Sequence, residues 1–103
     1  MNNCRLVVIC NGQWDGLNYV GGSSLGVLVS KRLKFTRLVE LIYQKFNIDS
    51  TRYDIGINTV VWNHNLRKLQ IKGNDDVAFL LRERTLNISE VYVDFVRLCV
   101  ELV

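Results

Sequence analysis

Apolar residues recur along this chain at two periods. In residues 35–46, FTRLVELIYQKF, positions Phe35, Leu38, Val39, Ile42 and Phe46 fall at i, i+3, i+4, i+7 and i+11. That spacing lines one face of a helix, with Arg37, Glu40 and Gln44 on the opposite face. Thr36 is the predicted N-cap, its hydroxyl serving the open amides of the first turn. A stripe this wide needs a cover. The flanking segments carry strand patterns, so a sheet is the predicted cover.

Residues 5–10 (RLVVIC) and 91–100 (VYVDFVRLCV) are apolar on both faces, which predicts central strands lying side by side. Residues 25–31 predict a second strand, with Gly26 at a bulge, paired antiparallel with the first as a wide hairpin. Between them, residues 11–24 are rich in Gly and Asn and predict a long connection carrying Trp14, Leu17 and Tyr19. Residues 53–62 alternate as a half-buried strand, 63–65 make a turn, and 67–71 form a short strand with a basic start. Asn74 is the predicted cap of a second helix reaching to about residue 84. Asp75 and Asp76 suit its positive N-terminus, and Val77, Leu80 and Leu81 give it an apolar face. The order is ββαββαβ. It predicts an α+β fold, a mixed sheet packed on one main helix, arranged as a β-grasp (ubiquitin-like) roll. The helix covers only one sheet face. Either Val7, Ile9, Val93 and Phe95, or their alternating neighbours, form an exposed apolar patch on the other, or the connection with Trp14 and Tyr19 folds over it.

Composition bounds what such a fold can do. The chain has 103 residues, one domain's worth, with no repeat, linker or proline. It stops at residues 99–103 without a polar tail, which suggests a segment of a longer polypeptide. Half its residues are apolar and 22% are charged, so it is expected to be globular. A net charge of +3 is too small to imply nucleic-acid binding by itself. No signal peptide fits the N-terminal residues, and no apolar run approaches a membrane span, so no membrane partner is expected. Cys4, Cys10 and Cys99 are an odd number without a CxxC pair, which gives no disulfide framework and no zinc site. They are expected to act as small apolar residues in a reducing, intracellular compartment. Without a secretory signal, the sequon Asn87-Ile88-Ser89 carries no expectation of glycosylation.

Catalytic chemistry finds little support. The one histidine, His64, sits in a turn with nothing to orient it beside a nucleophile. Residues 21–26 (GGSSLG) lack the Lys-Ser/Thr of a phosphate loop and lead into a strand, so no helix N-terminus faces a phosphate. Asp75 and Asp76 are two carboxylates, too few for a cation site. The chain is therefore expected to be no enzyme and to need no cofactor or metal. Two charge clusters remain. Lys31, Arg32 and Lys34, with Arg5, form a basic group, and Arg67 with Lys68 a second basic run; Asp75 and Asp76 are acidic. These are either ordinary solvated surface or docking faces that orient a charged partner.

Several short motifs then fall in a familiar succession. They are residues 10–14 (CNGQW), 19–22 (YVGG), Leu38, Asp49, 53–55 (YDI), 71–79 (IKGNDDVAF) and 91–93 (VYV). This succession resembles the N-terminal module of plant MuDR-type (Mutator-like) transposases, over residues 5 to 95. That module is similar to the Phox/Bem-one domain, a ubiquitin-like β-grasp. The resemblance implies a non-catalytic protein-interaction module, part of a nuclear transposase or transposase-derived protein. It also implies front-to-back pairing, in which a basic residue on the first strand meets an acidic cluster before the second helix. Arg5 matches the basic side, with Lys31 and Arg32 in support. On the acidic side the usual Asp/Glu-rich stretch is replaced by residues 64–68 (HNLRK), leaving only Asp75 and Asp76. The chain is thus expected to offer its basic face to a protein partner, either itself or an acidic-faced heterologous domain. The alternative is nucleic-acid binding through Lys31, Arg32, Lys34, Arg67 and Lys68, with Trp14 as a stacking platform.

Overall fold

The computed structural model describes residues 3–63, 65–86 and 96–103, without the side chains of residues 61–63, 65, 66 and 82–86. Nine elements follow one another among the described residues: β1 (Asn3–Cys10), β2 (Gln13–Asp15), β3 (Asn18–Val20), β4 (Ser23–Ser30), α1 (Phe35–Lys45), β5 (Ile55–Asn63), β6 (Asn65–Ile71), α2 (Asn74–Leu86) and β7 (Val96–Leu102). The fold is mixed α+β. Its five-stranded sheet runs β4-β1-β7-β5-β6, with β2 and β3 as a separate two-stranded ribbon. β1 and β7 are parallel neighbours at its middle, and each outer pair is antiparallel; β7 is apolar on its helix side, while Arg97 and Glu101 share its other face with Cys99. His64, the sequon at residues 87–89, and residues 91–95 with Val93 and Phe95 lie outside the described residues.

The strand alternation sorts side chains between two faces. Cys4, Leu6, Val8 and Cys10 of β1 and Val96, Leu98 and Val100 of β7 face the helices, packing with Leu38 and Ile42 of α1 and Val77, Leu80 and Leu81 of α2. Leu38 and Ile42 are fully buried, each worth about 1.5–3 kcal/mol relative to exposure. Both helices therefore seal the same face.

The ends of α1 differ from expectation at one terminus. Thr36 is not its cap: Lys34 holds the N-cap position, with no side-chain capping bond. The Phe35 amide instead donates to Asn74 Oδ1 at 2.8 Å. Asn74 thus serves the other helix, because the fold brings the two N-termini together. At the C-terminus, Asn47 takes a left-handed φ of 53°. The Asn47 and Ile48 amides turn back to the Gln44 and Tyr43 carbonyls, closing the helix as a Schellman motif. Gly26 makes no bulge either, since the β1–β4 register runs unbroken from Asn3↔Ser30 to Cys10↔Ser23.

Residues 11–24 are more than a connection. β2 and β3 pair through Trp14↔Tyr19 and Asp15↔Asn18. Gly16, the first of the two residues in the turn, takes a φ of 63°, the conformation a tight hairpin asks of glycine there. Three-residue strands are too short to display a period of two, but a glycine opening a two-residue loop, Gly16-Leu17, is a hairpin signal legible in the sequence.

Candidate docking surface

The hairpin lies over the sheet face that the helices leave open. Tyr19, Ile9 and Cys99 form a second apolar cluster, with Val7 and Trp14 packed against it. Of the two expectations for this face, the covering connection is the one realised over Val7 and Ile9. Tyr19, only 6% exposed, pins the cover: its hydroxyl donates to the Val100 carbonyl at 2.7 Å and accepts the Gly12 amide at 3.0 Å. Trp14 Nε1 donates to Glu101 Oε1 at 2.9 Å, and Asn58 Nδ2 donates to the same oxygen at 3.3 Å. Lys68 Nζ sits 4.2 Å from the Trp14 ring centre, a cation–π contact that ties β6 to the hairpin. The backbone permits this approach only with glycine. A Cβ on Gly12 would stand 2.7 Å from Tyr19 Cε2, and one on Gly22, at φ 78°, 2.4 Å from the Cys10 carbonyl oxygen.

Chemistry on this cluster is muted. Burial pushes the Cys99 thiol up, against Arg97 and Lys68 and with Glu101. Burial likewise raises Cys10 on the helix side, partly offset by a hydrogen bond from the Asn11 backbone. Thiols held above their ordinary range are poor nucleophiles near neutral pH. Among the described residues no group of three His, Cys, Asp or Glu is placed to hold a metal ion, and no helix is long and apolar enough to cross a membrane. Two shallow clefts, of about 330 and 460 Å³, flank the hairpin, the larger between Leu17, Val20, Val60 and Arg97.

The predicted basic residues divide into two places. Ser30↔Asn3 is the last pair of β4 and β1, so Lys31 and Arg32, in the turn that follows, stand at the start of β1. Arg5 lies two residues along β1 on the hairpin side, roughly 7 Å from Asn3 at the ordinary rise of a strand. The turn is tied back, the Arg32 amide donating to Ser30 Oγ at 3.1 Å and the Leu33 amide to the Ser30 carbonyl at 3.0 Å. Lys34 follows at the head of α1. Arg5, Arg32 and Lys34 are exposed and Lys31 half-buried. Arg67 and Lys68 lie on β6, at the opposite edge of the sheet. Four strand spacings, about 19 Å, separate them from β4. The five cations of the nucleic-acid alternative are not gathered into one patch, and its stacking platform, Trp14, is occupied by Lys68.

The acidic pair sits at the head of α2. Asp76 Oδ2 accepts the Lys72 amide at 2.9 Å, a capping contact, and Asp75 is exposed. The Asn74–Phe35 bond makes Asp75 and Lys34 the immediate chain neighbours of one contact. Lys34 and the acidic pair therefore share the helix side of this end, whereas Arg5 points to the hairpin side of the sheet. The only ion pair among the described residues is exposed, Arg37–Glu40 at 3.2 Å, so none of these basic residues is held in one. No family model and no curated protein matches this sequence.

Proposed function

We propose that the chain is a non-catalytic protein-interaction module with a β-grasp, Phox/Bem-one-like fold, of the kind that begins MuDR-type transposases. The parallel β1–β7 centre, its two flanking hairpins and the helix laid across one face support the β-grasp assignment. One observation carries the functional reading: Arg5, Lys31, Arg32 and Lys34 converge at one end of the sheet with no ion-pair partner among the described residues. Such a cluster attracts and orients an acidic surface. The acidic side is only two residues, and Asp76 already accepts the Lys72 amide, which favours a heterologous acidic domain over front-to-back self-pairing. On the same resemblance the module would belong to a longer nuclear protein.

The test is fluorescence anisotropy with two probes, an Asp/Glu-rich peptide and a duplex DNA, on the wild type and on the triple variant Arg5→Glu, Lys31→Glu, Arg32→Glu. Peptide binding that the triple variant abolishes supports the reading. DNA binding tighter than peptide binding, with a log–log salt slope of about −4 to −5, would overturn it in favour of nucleic acid.

A further inference from the structure

The two edges of the main sheet are guarded very differently. An edge strand exposes a row of unpaired amides and carbonyls, and native proteins blunt it with charge, proline, bulges or shortness. β6 follows that rule, carrying Arg67 and Lys68, both exposed. β4 does not. Its eight residues, SSLGVLVS, contain no charge and no proline, and its register is unbroken. Leu28, pointing to the hairpin side beside Arg5, is 63% exposed, and Leu25, on the helix side, is 39% exposed. The hairpin stops short of this margin: a side chain built on Gly26 would meet nothing within 4 Å.

We propose that β4 is a self-association edge, pairing antiparallel with β4 of a second copy about a two-fold axis through Val27. A two-fold perpendicular to the sheet keeps like faces together, so partners must be of the same parity. Centring on Val27 sets Gly26 opposite Leu28, Leu25 opposite Val29 and Ser24 opposite Ser30. Each contact is made twice. Leu28 of one copy then fills the open space over Gly26 of the other and reaches Val7, which is Gly26's partner on β1. Directly opposed residues stand about 4.5–5.5 Å apart at Cβ, within reach of a leucine leaning over a glycine. Charge selects the direction. Antiparallel pairing sends the two Lys31–Arg32 ends to opposite extremities, each beside the uncharged start of the partner's β4. Parallel pairing would stack them. The ten-stranded sheet that results presents the two basic ends at opposite ends of its central seam, free for an acidic partner.

An eight-residue strand pair buries less than about 1,200 Å², the range of weak contacts, so the expected dissociation constant is on the order of 100 µM. Sedimentation equilibrium over about 10 µM to 1 mM, at low and high salt, reads it directly. The wild type is expected to dimerise with little salt dependence. Leu28→Lys and Gly26→Asp should each weaken the dimer at least about tenfold, because a charge is set against apolar surface. The double variant should recover it, now salt-sensitively, because each lysine faces the partner's aspartate. Circular dichroism on each variant checks that the fold is intact. In a mixed-label wild-type sample, intermolecular contacts between Leu28 and Val7 are expected in NMR. A wild type that stays monomeric to 1 mM, even one that captures an apolar peptide on this edge, overturns the proposal. So does a dimer indifferent to Leu28→Lys, a folded double variant that fails to recover, or intermolecular contacts in another register.

Discussion

Replacing Tyr19 by Phe removes a single oxygen, and the structure says how much that oxygen holds. It accepts the Gly12 amide at 3.0 Å and donates to the Val100 carbonyl at 2.7 Å, from a side chain only 6% exposed. The ring and its burial stay, so the hydrophobic contribution is nearly unchanged. What is lost is the satisfaction of two backbone groups under the hairpin. An orphaned, partly buried amide costs about 1–3 kcal/mol. The carbonyl adds less, because it has a second lone pair and lies in a strand paired on both sides. The expected loss is about 2–3 kcal/mol, which for a domain of this size is a fall in Tm of roughly 8–20 °C. Tyr43→Phe is the control. Its hydroxyl also donates to a backbone carbonyl, that of Tyr53 at 2.8 Å, but in an exposed setting, where water replaces the bond and the cost should stay below about 1 kcal/mol. Calorimetry on both variants decides the matter, with hydrogen exchange at Gly12 as the local readout. Equal Tm values for the two variants, or an unchanged Gly12 exchange rate in Tyr19→Phe, would refute the view that this hydroxyl fastens the hairpin to the sheet.

Three other outcomes follow from the same geometry. Gly22→Ala places a Cβ 2.4 Å from the Cys10 carbonyl oxygen at a φ of 78°, so it should cost about 3 kcal/mol or more by urea denaturation, whereas Gly26→Ala, in open space, should stay within about 1 kcal/mol. Asn74→Ala removes the acceptor of the Phe35 amide and should destabilise by about 0.5–1.5 kcal/mol; Thr36→Ala, which removes no cap, should cost less. Burial raises Cys10 and Cys99 above an ordinary 9.0 and Tyr19 above 10.0; the unfolded chain therefore ionises first, and the stability these groups contribute is full below about pH 8.5 and is lost as pH rises through their folded values. A Cys99→Ala, Tyr19→Phe double variant should show a flatter alkaline limb in a plot of unfolding free energy against pH.

Legibility in the sequence tracked the strength of each periodic signal. The α1 stripe over 35–46 is an unmixed 3.6-residue period, and helix and buried face are where it puts them, Leu38 and Ile42 at its centre. The apolar runs at 5–10 and 91–100 pointed to adjacent central strands, and β1 and β7 are adjacent, although β7 runs over Val96–Leu102 and carries Arg97 and Glu101 on its hairpin face. Caps were less legible. Asn74 looked like a cap for its own helix and caps the neighbour's first amide instead, since which amide it meets depends on how two helices dock. The hairpin was the largest omission. Its signals are one turn glycine, Gly16, and two aromatics, Trp14 and Tyr19, five residues apart, and their meaning depends on Glu101, Lys68 and Val100, which are remote in sequence. Of the candidate site, the convergence of Arg5 with Lys31 and Arg32 follows from a hairpin register the sequence suggested. The separation of Arg67 and Lys68 from them follows from strand order, which periodicity does not encode.

That hairpin also decides where an interaction surface can lie. A sheet with helices on one face ordinarily leaves the other for binding, and Val7 and Ile9 would suit an apolar partner. Here the chain spends its own Trp14 and Tyr19 on that face and fixes them with Glu101, Asn58 and Lys68. Lys68 is thereby drawn over an indole, which lessens its value as a free cation on the β6 edge. The cover reaches Val7 and Ile9 but leaves Gly26 and Leu28 open. Exposed apolar surface and positive charge outside any ion pair among the described residues then meet along one margin, β4 and the turn that follows it. A Trp14→Ala variant separates the alternatives. If the hairpin is only a cover, loosening it should expose Val7 and Ile9 and raise binding of a hydrophobic dye, while β4 self-association and acidic-peptide binding persist. If Trp14 itself were the docking group, both associations would disappear with the fold intact, and the assignment of function to the β4 margin would fail.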